Sequence, residues 1–200
     1  MDTSASGALP RHLVLLCPDG AAFAARFLPL VAAALERGLS ASVVTRVTAH
    51  RAVIEAAGAR VVPFALGTAR LNPMAAGYEA GQLAGILKAL EAGLIHCLGL
   101  RAIVVGGTAA AMSGVGARIY QPDDLAALAA RNDSAGRLSR LALRHAIRGP
   151  LATRRTRFLC QSPADAAALD LDPADTGLTL VGPDGLGAAA GTLYAELFRA

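Results

Sequence analysis

The chain has 200 residues, of which 54% are hydrophobic, and its formal net charge is +4. This length suits one α/β domain, while the longest uncharged apolar run, Ala102–Val115, is shorter than the roughly 20 residues that a membrane-spanning helix needs. Cys17, Cys97 and Cys160 are widely separated and lack CxxC or paired-His spacing, which argues against a disulfide framework and a structural zinc site.

The first half of the chain alternates strand and helix patterns. Residues 1–10 are polar and lack the basic-then-apolar order of a signal peptide, so we expect a flexible leader and a cytoplasmic location. His12–Cys17 is a continuous apolar run, typical of a strand buried on both faces. Helical spacing follows over Ala21–Arg37 and ends at Gly38. The next predicted elements are a strand (Ala41–Val47), a short helix (His50–Ala57), a strand (Arg60–Phe64), a long helix (Met74–Ala92), a strand (Leu94–Leu98), a helix (Leu100–Met112) and a strand (Ala117–Gln121).

The second half continues the alternation. Pro122–Pro150 is predicted to be mostly helical, and Ser134–Arg148 is its clearest amphipathic element. Then come a strand (Arg157–Gln161), a short helix (Pro163–Leu169) and a strand (Leu178–Val181). Such alternation predicts a single Rossmann-like α/β domain over residues 11–185, with a parallel sheet of about seven strands and helices on both faces. Residues 186–200 are predicted to form a C-terminal helix that packs back on this domain.

Glycine patterns exclude the common nucleotide sites. A dinucleotide fold needs GxGxxG after its first strand, but Cys17–Phe23 contains one glycine, Gly20. No GxxxxGK[ST] motif is present either. Gly106 and Gly107 fall inside a predicted helix, where close packing explains them better than a ligand does. We therefore expect no cofactor and no metal, and an unrelated nucleotide-binding Rossmann enzyme is the weakest alternative.

Several short sequence segments occur in an order and at a spacing that are more informative than any single segment. They are Arg26–Leu30 followed by Gly38, Val43–Val47 with His50, Ile54–Pro63, Ile95–Arg101 and Thr156–Asp165. Together they resemble the N-terminal, acceptor-side domain of family 4-like glycosyltransferases of the GT-B fold. The resemblance extends from about Leu13 to Gly185.

The resemblance implies a Rossmann-like acceptor domain that faces a second, donor-binding domain. The paired glutamates that bind the donor in that family have no counterpart after Gly185. The resemblance thus predicts a domain that is inactive alone, needs a separate donor-binding subunit, and is linked to cell-envelope or exopolysaccharide glycosylation. The apolar stripe of the last helix is compatible with the family's closing helix and with an ordinary capping helix.

Positions that carry chemistry in the family differ here. A His-Arg pair before Leu-Pro corresponds to Arg26 and Phe27, and the second His of His-x-His-Gly corresponds to Leu98, which transfers no proton. The Gly-Leu-Gly loop after strand five corresponds to the stretch that begins at Asp123. These losses leave the catalytic residues unassigned, and they favour as an alternative function a degenerate, non-enzymatic domain that binds a membrane or a protein.

Four residues remain candidates for binding an acceptor. Asp19 and Asp123 could bind sugar hydroxyls, and Arg26 and His96 could contact an acceptor phosphate or hydroxyl. The alternative for the two aspartates is helix capping. For His96 the alternative is a hydrogen-bonded position in the core.

Basic residues concentrate between Arg131 and Arg157, where eight arginines meet a single acid, Asp133. Aromatic side chains are nearly absent there, so stacking on bases is excluded and nucleic acid is a poor partner. A basic helix face favours an anionic membrane surface or a lipid-phosphate acceptor, which would place the protein peripherally on the inner face of the membrane. A solvated helix face is the alternative. The arginines of this predicted face are Arg137, Arg140, Arg144 and Arg148.

Overall fold

The structure is a computed structural model that describes residues 11–47, 49–67, 73–123, 141, 143–172, 174, 177–181 and 185–199. The predicted leader and the first part of the predicted helix Ser134–Arg148 lie outside the described residues. The strands are β1 (His12–Asp19), β2 (Ser40–Arg46), β3 (Arg60–Pro63), β4 (Leu94–Leu98), β5 (Ala117–Gln121), β6 (Thr156–Cys160) and β7 (Leu178–Leu180). The helices are α1 (Gly20–Arg26), α2 (Leu28–Glu36), α3 (Arg51–Ala56), α4 (Pro73–Ala89), α5 (Leu100–Ser113), α6 (Pro163–Ala168) and α7 (Leu186–Arg199), and residues 143–148 are also helical.

The seven strands form one sheet in the order β3-β2-β1-β4-β5-β6-β7, and every neighbouring pair is parallel. The first six strands follow the order of the doubly wound nucleotide-binding folds. The prediction of a single Rossmann-like α/β domain with about seven parallel strands is therefore confirmed.

Alternating side chains of the strands bury two separate apolar layers. Leu13 and Leu15 of β1 pack with α1, α2, α3 and α7 on one face of the sheet. Val14 and Leu16 pack with α4, α5, the helical segment 143–148 and α6 on the other face. Because both faces are covered, the central strands read as continuous apolar runs rather than alternating ones.

The predicted single helix Ala21–Arg37 is in fact two helices, α1 and α2. The break falls at Phe27, whose φ of −115° and ψ of 3° depart from helical values. Pro29 causes it, because a proline inside a helix lacks an N–H and its ring clashes with the carbonyl four residues earlier. Pro29 is tolerated here since it occupies the first turn of α2.

Helix α5 lies unusually close to the sheet because two of its residues have no side chain. A Cβ at Gly106 would lie 2.5 Å from Cys97 Sγ, and one at Gly107 would lie 2.6 Å from the Tyr120 hydroxyl. Both separations are far below van der Waals contact. The close approach of helix to strand accounts for these glycines without a ligand.

Helix α7 returns across the sheet and packs on α2. Leu193, Tyr194 and Leu197 are buried in the same apolar layer as α2. The Arg155 guanidinium donates to the Leu197 carbonyl, and the Glu196 carboxylate accepts a 2.6 Å hydrogen bond from Arg157, in β6. The last helix is thereby attached to both α2 and the β6 region.

Candidate functional site

The carboxyl ends of β1 and β4 form the switch point of the sheet, and the crevice is the space outside them in which this kind of fold binds ligands. These strands are neighbours in the sheet, but the chain leaves β1 towards β2 and leaves β4 towards β5. In open α/β sheets, ligands bind outside the strand ends at this reversal. The residues at these strand ends are Asp19, which ends β1, Gly99 after β4 and Asp123 after β5.

Asp19 is held as the N-cap of α1. One carboxylate oxygen accepts hydrogen bonds from the amides of Ala21, at 2.8 Å, and Ala22, at 3.1 Å. These amide donors, that of Ala22 above all, with a smaller contribution from the positive charge of Arg46, hold the pKa of Asp19 below its usual value. The side chain is therefore an anion oriented by the helix start, and its second oxygen has no recorded partner among the described residues.

Arg26 and Asp123 come together across the mouth of the crevice, although 97 residues separate them in sequence. The guanidinium donates two hydrogen bonds, of 2.7 and 2.8 Å, to the two carboxylate oxygens. Arg26 also lies over the Phe27 ring, 5.0 Å from its centre. The pair is only partly buried, with 47% of the Arg26 side chain and 22% of the Asp123 side chain exposed. It joins the end of α1 to the end of β5 and neutralises both charges.

His96 does not belong to this exposed group. The ring is fully buried, its Nδ1 lies 2.9 Å from the Tyr194 hydroxyl, and the two rings meet edge to face. Burial lowers the pKa of His96 to about 3, with a small opposing effect from the nearby Gln121 amide. Its Nε2 and the polar atoms of Gln121 nevertheless lack well-formed hydrogen bonds within the described structure. The imidazole is therefore neutral and lies in the core, where it packs against α7.

Among the described residues at these strand ends, Leu98 and Cys17 offer no group suited to proton transfer. Leu98 ends β4 and is 2% exposed. The Cys17 thiol donates a 3.3 Å hydrogen bond to the Asp19 carbonyl, and burial raises the pKa of Cys17 to about 11. Burial likewise raises the pKa values of Cys97 and Cys160. Protonated thiols are poor nucleophiles, so the described cysteines are structural.

Of the four arginines in the predicted basic face, Arg137 and Arg140 lie outside the described residues. Arg144 donates a 3.1 Å hydrogen bond to the Ala168 carbonyl at the end of α6, and Arg148 forms a 3.3 Å ion pair with Asp170. Both arginines therefore hold the helical segment 143–148 against α6. Leu141 beside them is 63% exposed.

Sequence reasoning missed two ion pairs near the crevice. The first is the pairing of Arg26 with Asp123. The second joins Arg101 in the first turn of α5 to Glu79 in α4 at 2.8 Å, where only about a seventh of either side chain is exposed. Glu79 also accepts a 3.2 Å hydrogen bond from the Gly67 amide and so fixes the loop after β3. All of these contacts join residues that are distant in sequence, so no local sequence pattern predicts them.

Within the described residues no group of three His, Cys, Asp or Glu side chains is placed to hold a metal ion. In that same part of the chain, none of the helices has the length and apolar character needed to cross a membrane.

The sequence matches no protein-family model and no curated protein. Solved structures match it in fold. Anabaena HepE in complex with UDP-glucose has a TM-score of 0.55 and 20% identity, and the match covers 86% of this chain and 43% of HepE. Sucrose-phosphate synthase from Thermosynechococcus elongatus has a TM-score of 0.62 and 15% identity, covering 94% of this chain and 99% of that one. This chain therefore spans less than half the length of the HepE structure.

A solved structure from another class of enzyme also matches the fold of this chain. A short-chain dehydrogenase/reductase family oxidoreductase from Burkholderia thailandensis has a TM-score of 0.51 and 18% identity, covering 94% of this chain and 87% of that chain. At these identities the likeness is one of fold. The chain has the Rossmann-like fold that forms one half of GT-B glycosyltransferases.

Proposed function

We propose that this domain is the acceptor-side half of a GT-B, family 4-like glycosyltransferase that serves cell-envelope or exopolysaccharide glycosylation. The observation that carries the proposal is the fold match to HepE over 86% of this chain, together with the family-like phrases of the sequence. GT-B enzymes react their substrates between two Rossmann-like halves, and clefts between domains are common ligand sites. A separate donor-binding subunit would supply the second half.

The crevice supports binding rather than chemistry by this chain alone. Asp19, Arg26 and Asp123 offer carboxylate and guanidinium groups to sugar hydroxyls or a phosphate. The nearby strand ends present Leu98 and a protonated Cys17, and His96 is buried against Tyr194. General acid–base catalysis needs a group within hydrogen-bond reach of the reacting atom. We therefore expect the isolated chain to bind an acceptor without transferring sugar to it.

An NMR titration tests the acceptor role. The isotope-labelled chain is titrated with a short prenyl phosphate as an acceptor mimic and, separately, with UDP-glucose, and a parallel assay measures sugar transfer. Expected shifts for the mimic fall on residues 17–26, 98–100 and 121–123, and Arg26→Ala weakens them. Arg51→Ala is the matched control, because Arg51 is an exposed arginine of α3 paired with Glu55.

Two outcomes contradict the proposal. Steady sugar transfer by the isolated chain would show that it is not an inactive half. Crevice shifts that remain unchanged in Arg26→Ala, or a complete absence of shifts at the crevice, would remove the acceptor site.

A second candidate is the non-enzymatic domain that binds an anionic membrane. The observation that favours it is the 63% exposure of Leu141 next to the basic segment, since an apolar side chain beside arginines suits a lipid surface. Co-sedimentation with anionic liposomes, with and without charge reversal at Arg140 and Arg144, tests it. Binding that fails to weaken with salt or charge reversal, or no binding, eliminates this function.

A further inference from the structure

A second charged region lies at the opposite, amino edge of the sheet. Arg11 precedes β1, Arg37 follows α2, and Arg199 ends α7. Their side chains line one cavity of about 180 Å³. Its apolar floor is formed by Leu39, Tyr194 and Phe198.

Backbone carbonyls fix two of the three guanidinium groups. Arg11 donates to the carbonyls of Arg37, at 2.6 Å, and Gly38, at 3.5 Å, at the end of α2. Arg199 donates a 2.9 Å hydrogen bond to the Ala195 carbonyl. Each bond uses only part of a guanidinium that has five N–H donors, so both groups keep donors for a ligand.

Of the three arginines, Arg37 has the fewest polar partners within the described chain. Its guanidinium lies across α7 at Gly191, where a Cβ would be 3.6 Å from Arg37 Nε. Within the described chain this guanidinium has no hydrogen bond or ion pair. No acidic residue in the same described part lines the cavity. Three positive charges held close together repel one another, and a bound anion would relieve that repulsion.

The groove beside the cavity indicates what kind of group is attached to such an anion. It runs between α2 and α7, has a volume of about 290 Å³, and shares Arg37 with the cavity. Its charged lining residues are Glu36 and Arg37, and the rest of its lining consists of small residues, namely Pro29, Ala32, Ala33, Gly187, Ala188 and Gly191. An apolar chain fits a shallow groove of this lining better than a sugar does, because few hydrogen-bonding side chains are present.

We infer that the amino edge binds a phosphate monoester on an apolar chain. Guanidinium groups bind phosphate oxygens in pairs, and a phosphate monoester carries about −1.5 to −2 charge at neutral pH. Three arginines therefore match it better than they match a single carboxylate. The phosphate occupies the arginine cavity, and the apolar chain lies along the α2–α7 groove. This site is separate from the carboxyl-edge crevice and does not depend on the proposed glycosyltransferase role.

Calorimetric titration with inorganic phosphate and with hexyl phosphate tests the site. We expect hexyl phosphate to bind about tenfold more tightly than inorganic phosphate, because only the ester uses the groove. Arg37→Gln should weaken both ligands at least tenfold without loss of folding, since its exposed side chain holds nothing in place. Arg51→Gln removes one exposed arginine elsewhere and should leave both affinities unchanged.

A second variant separates the groove from the cavity. Ala188 is exposed on the groove wall, so Ala188→Leu should fill the groove, abolish the preference for hexyl phosphate and preserve the binding of inorganic phosphate. Vesicles of phosphatidic acid in phosphatidylcholine distinguish the source of the ester. Arg37-dependent sedimentation would identify a membrane lipid, and binding of hexyl phosphate without sedimentation would identify a soluble ester. Equal affinities for the wild type, Arg37→Gln and Arg51→Gln would overturn the inference.

Discussion

Charged side chains are arranged differently at the two edges of the sheet. At the carboxyl edge, where this fold binds ligands, Arg26 and Asp123 neutralise each other and Asp19 is satisfied by amides of α1. At the amino edge, Arg11, Arg37 and Arg199 surround a cavity without a carboxylate among its described lining residues. If the inferred amino-edge site is correct, the position of unpaired charge, rather than the usual ligand edge of the fold, determines where an anion is most strongly attracted.

The largest predicted effect is a decrease in the free energy of unfolding in acid. His96 is the central residue of β4, and burial lowers its pKa to about 3, whereas an ordinary histidine has a value of 6.5. As the pH falls from 6.5 towards 3, the unfolded chain binds a proton that the folded chain excludes, so the free energy of unfolding decreases. The loss at pH 4 is on the order of 3 kcal/mol. Urea unfolding between pH 4 and 8 measures it.

Two variants calibrate that pH dependence. His96→Gln should flatten the acid slope. His12 begins β1 at the amino edge, and burial together with Arg60 lowers its pKa. His12→Gln should therefore flatten the slope in the same direction but less, because His12 is half-buried. An unchanged slope in His96→Gln would show that His96 is protonated without cost in the fold.

A pair of glycine substitutions tests how tightly each region is packed. Gly106→Ala forces a Cβ against Cys97 Sγ and Leu16 below the crevice, and such overpacking costs about 1–3 kcal/mol. Gly191→Ala, beside the arginine cavity, meets only ordinary contacts of 3.6 Å. It should stabilise α7 by up to about 1 kcal/mol, because glycine is a poor helix former. Thermal unfolding of both variants measures the contrast, which equal shifts would contradict.

Tyr194 belongs to both regions, since it bonds His96 and lines the arginine cavity. Tyr194→Phe keeps the ring but leaves the buried His96 Nδ1 without its partner, which should cost about 1–2 kcal/mol. Tyr78→Phe is the control, because Tyr78 is 70% exposed and its loss should be negligible. Denaturant midpoints compare the two, and a similar small change in both would mean that the His96–Tyr194 hydrogen bond contributes little.

The smallest change in stability is expected for Asp123→Asn. The ion pair is partly exposed, so its loss should cost at most about 1 kcal/mol. The informative result is binding: Asp123→Asn removes the carboxylate that neutralises the Arg26 guanidinium, so inorganic phosphate should then produce new or larger NMR shifts at the carboxyl edge than it does in the wild type. Absence of new shifts would mean that charge pairing is not what distinguishes the edges.

The sequence predicts the strands well because buried parallel strands appear as short apolar runs bounded by turn residues. β4 and β5 have the predicted bounds. The break at Phe27 was missed, because apolar spacing continues through it, although Pro29 was a local signal for it. The seven-strand parallel arrangement follows from alternation alone, whereas the family and its substrates do not.

Side-chain partnerships were beyond the sequence for a physical reason. Arg26 meets Asp123, and Arg11 shares a cavity with Arg199, only after distant strands and helices have assembled. Residue type and periodicity describe neighbours along one element. They identified Asp19, Arg26, His96 and Asp123 as separate candidates and offered a core position for His96, but they gave no sign that Arg26 would pair with Asp123 or that Tyr194 would be the partner of His96.

The attachment of α7 to α2 also affects how the chain reaches this structure. During synthesis, residues 28–36 emerge long before residues 186–199, so the surface of α2 that packs on α7 stays uncovered until the last helix leaves the ribosome. Contacts of such sequence separation form late and slow the folding of a domain. An uncovered apolar surface on a nascent chain is also prone to aggregate. Packing of the fourteen-residue helix α7 on α2 is therefore expected to be a late step in folding.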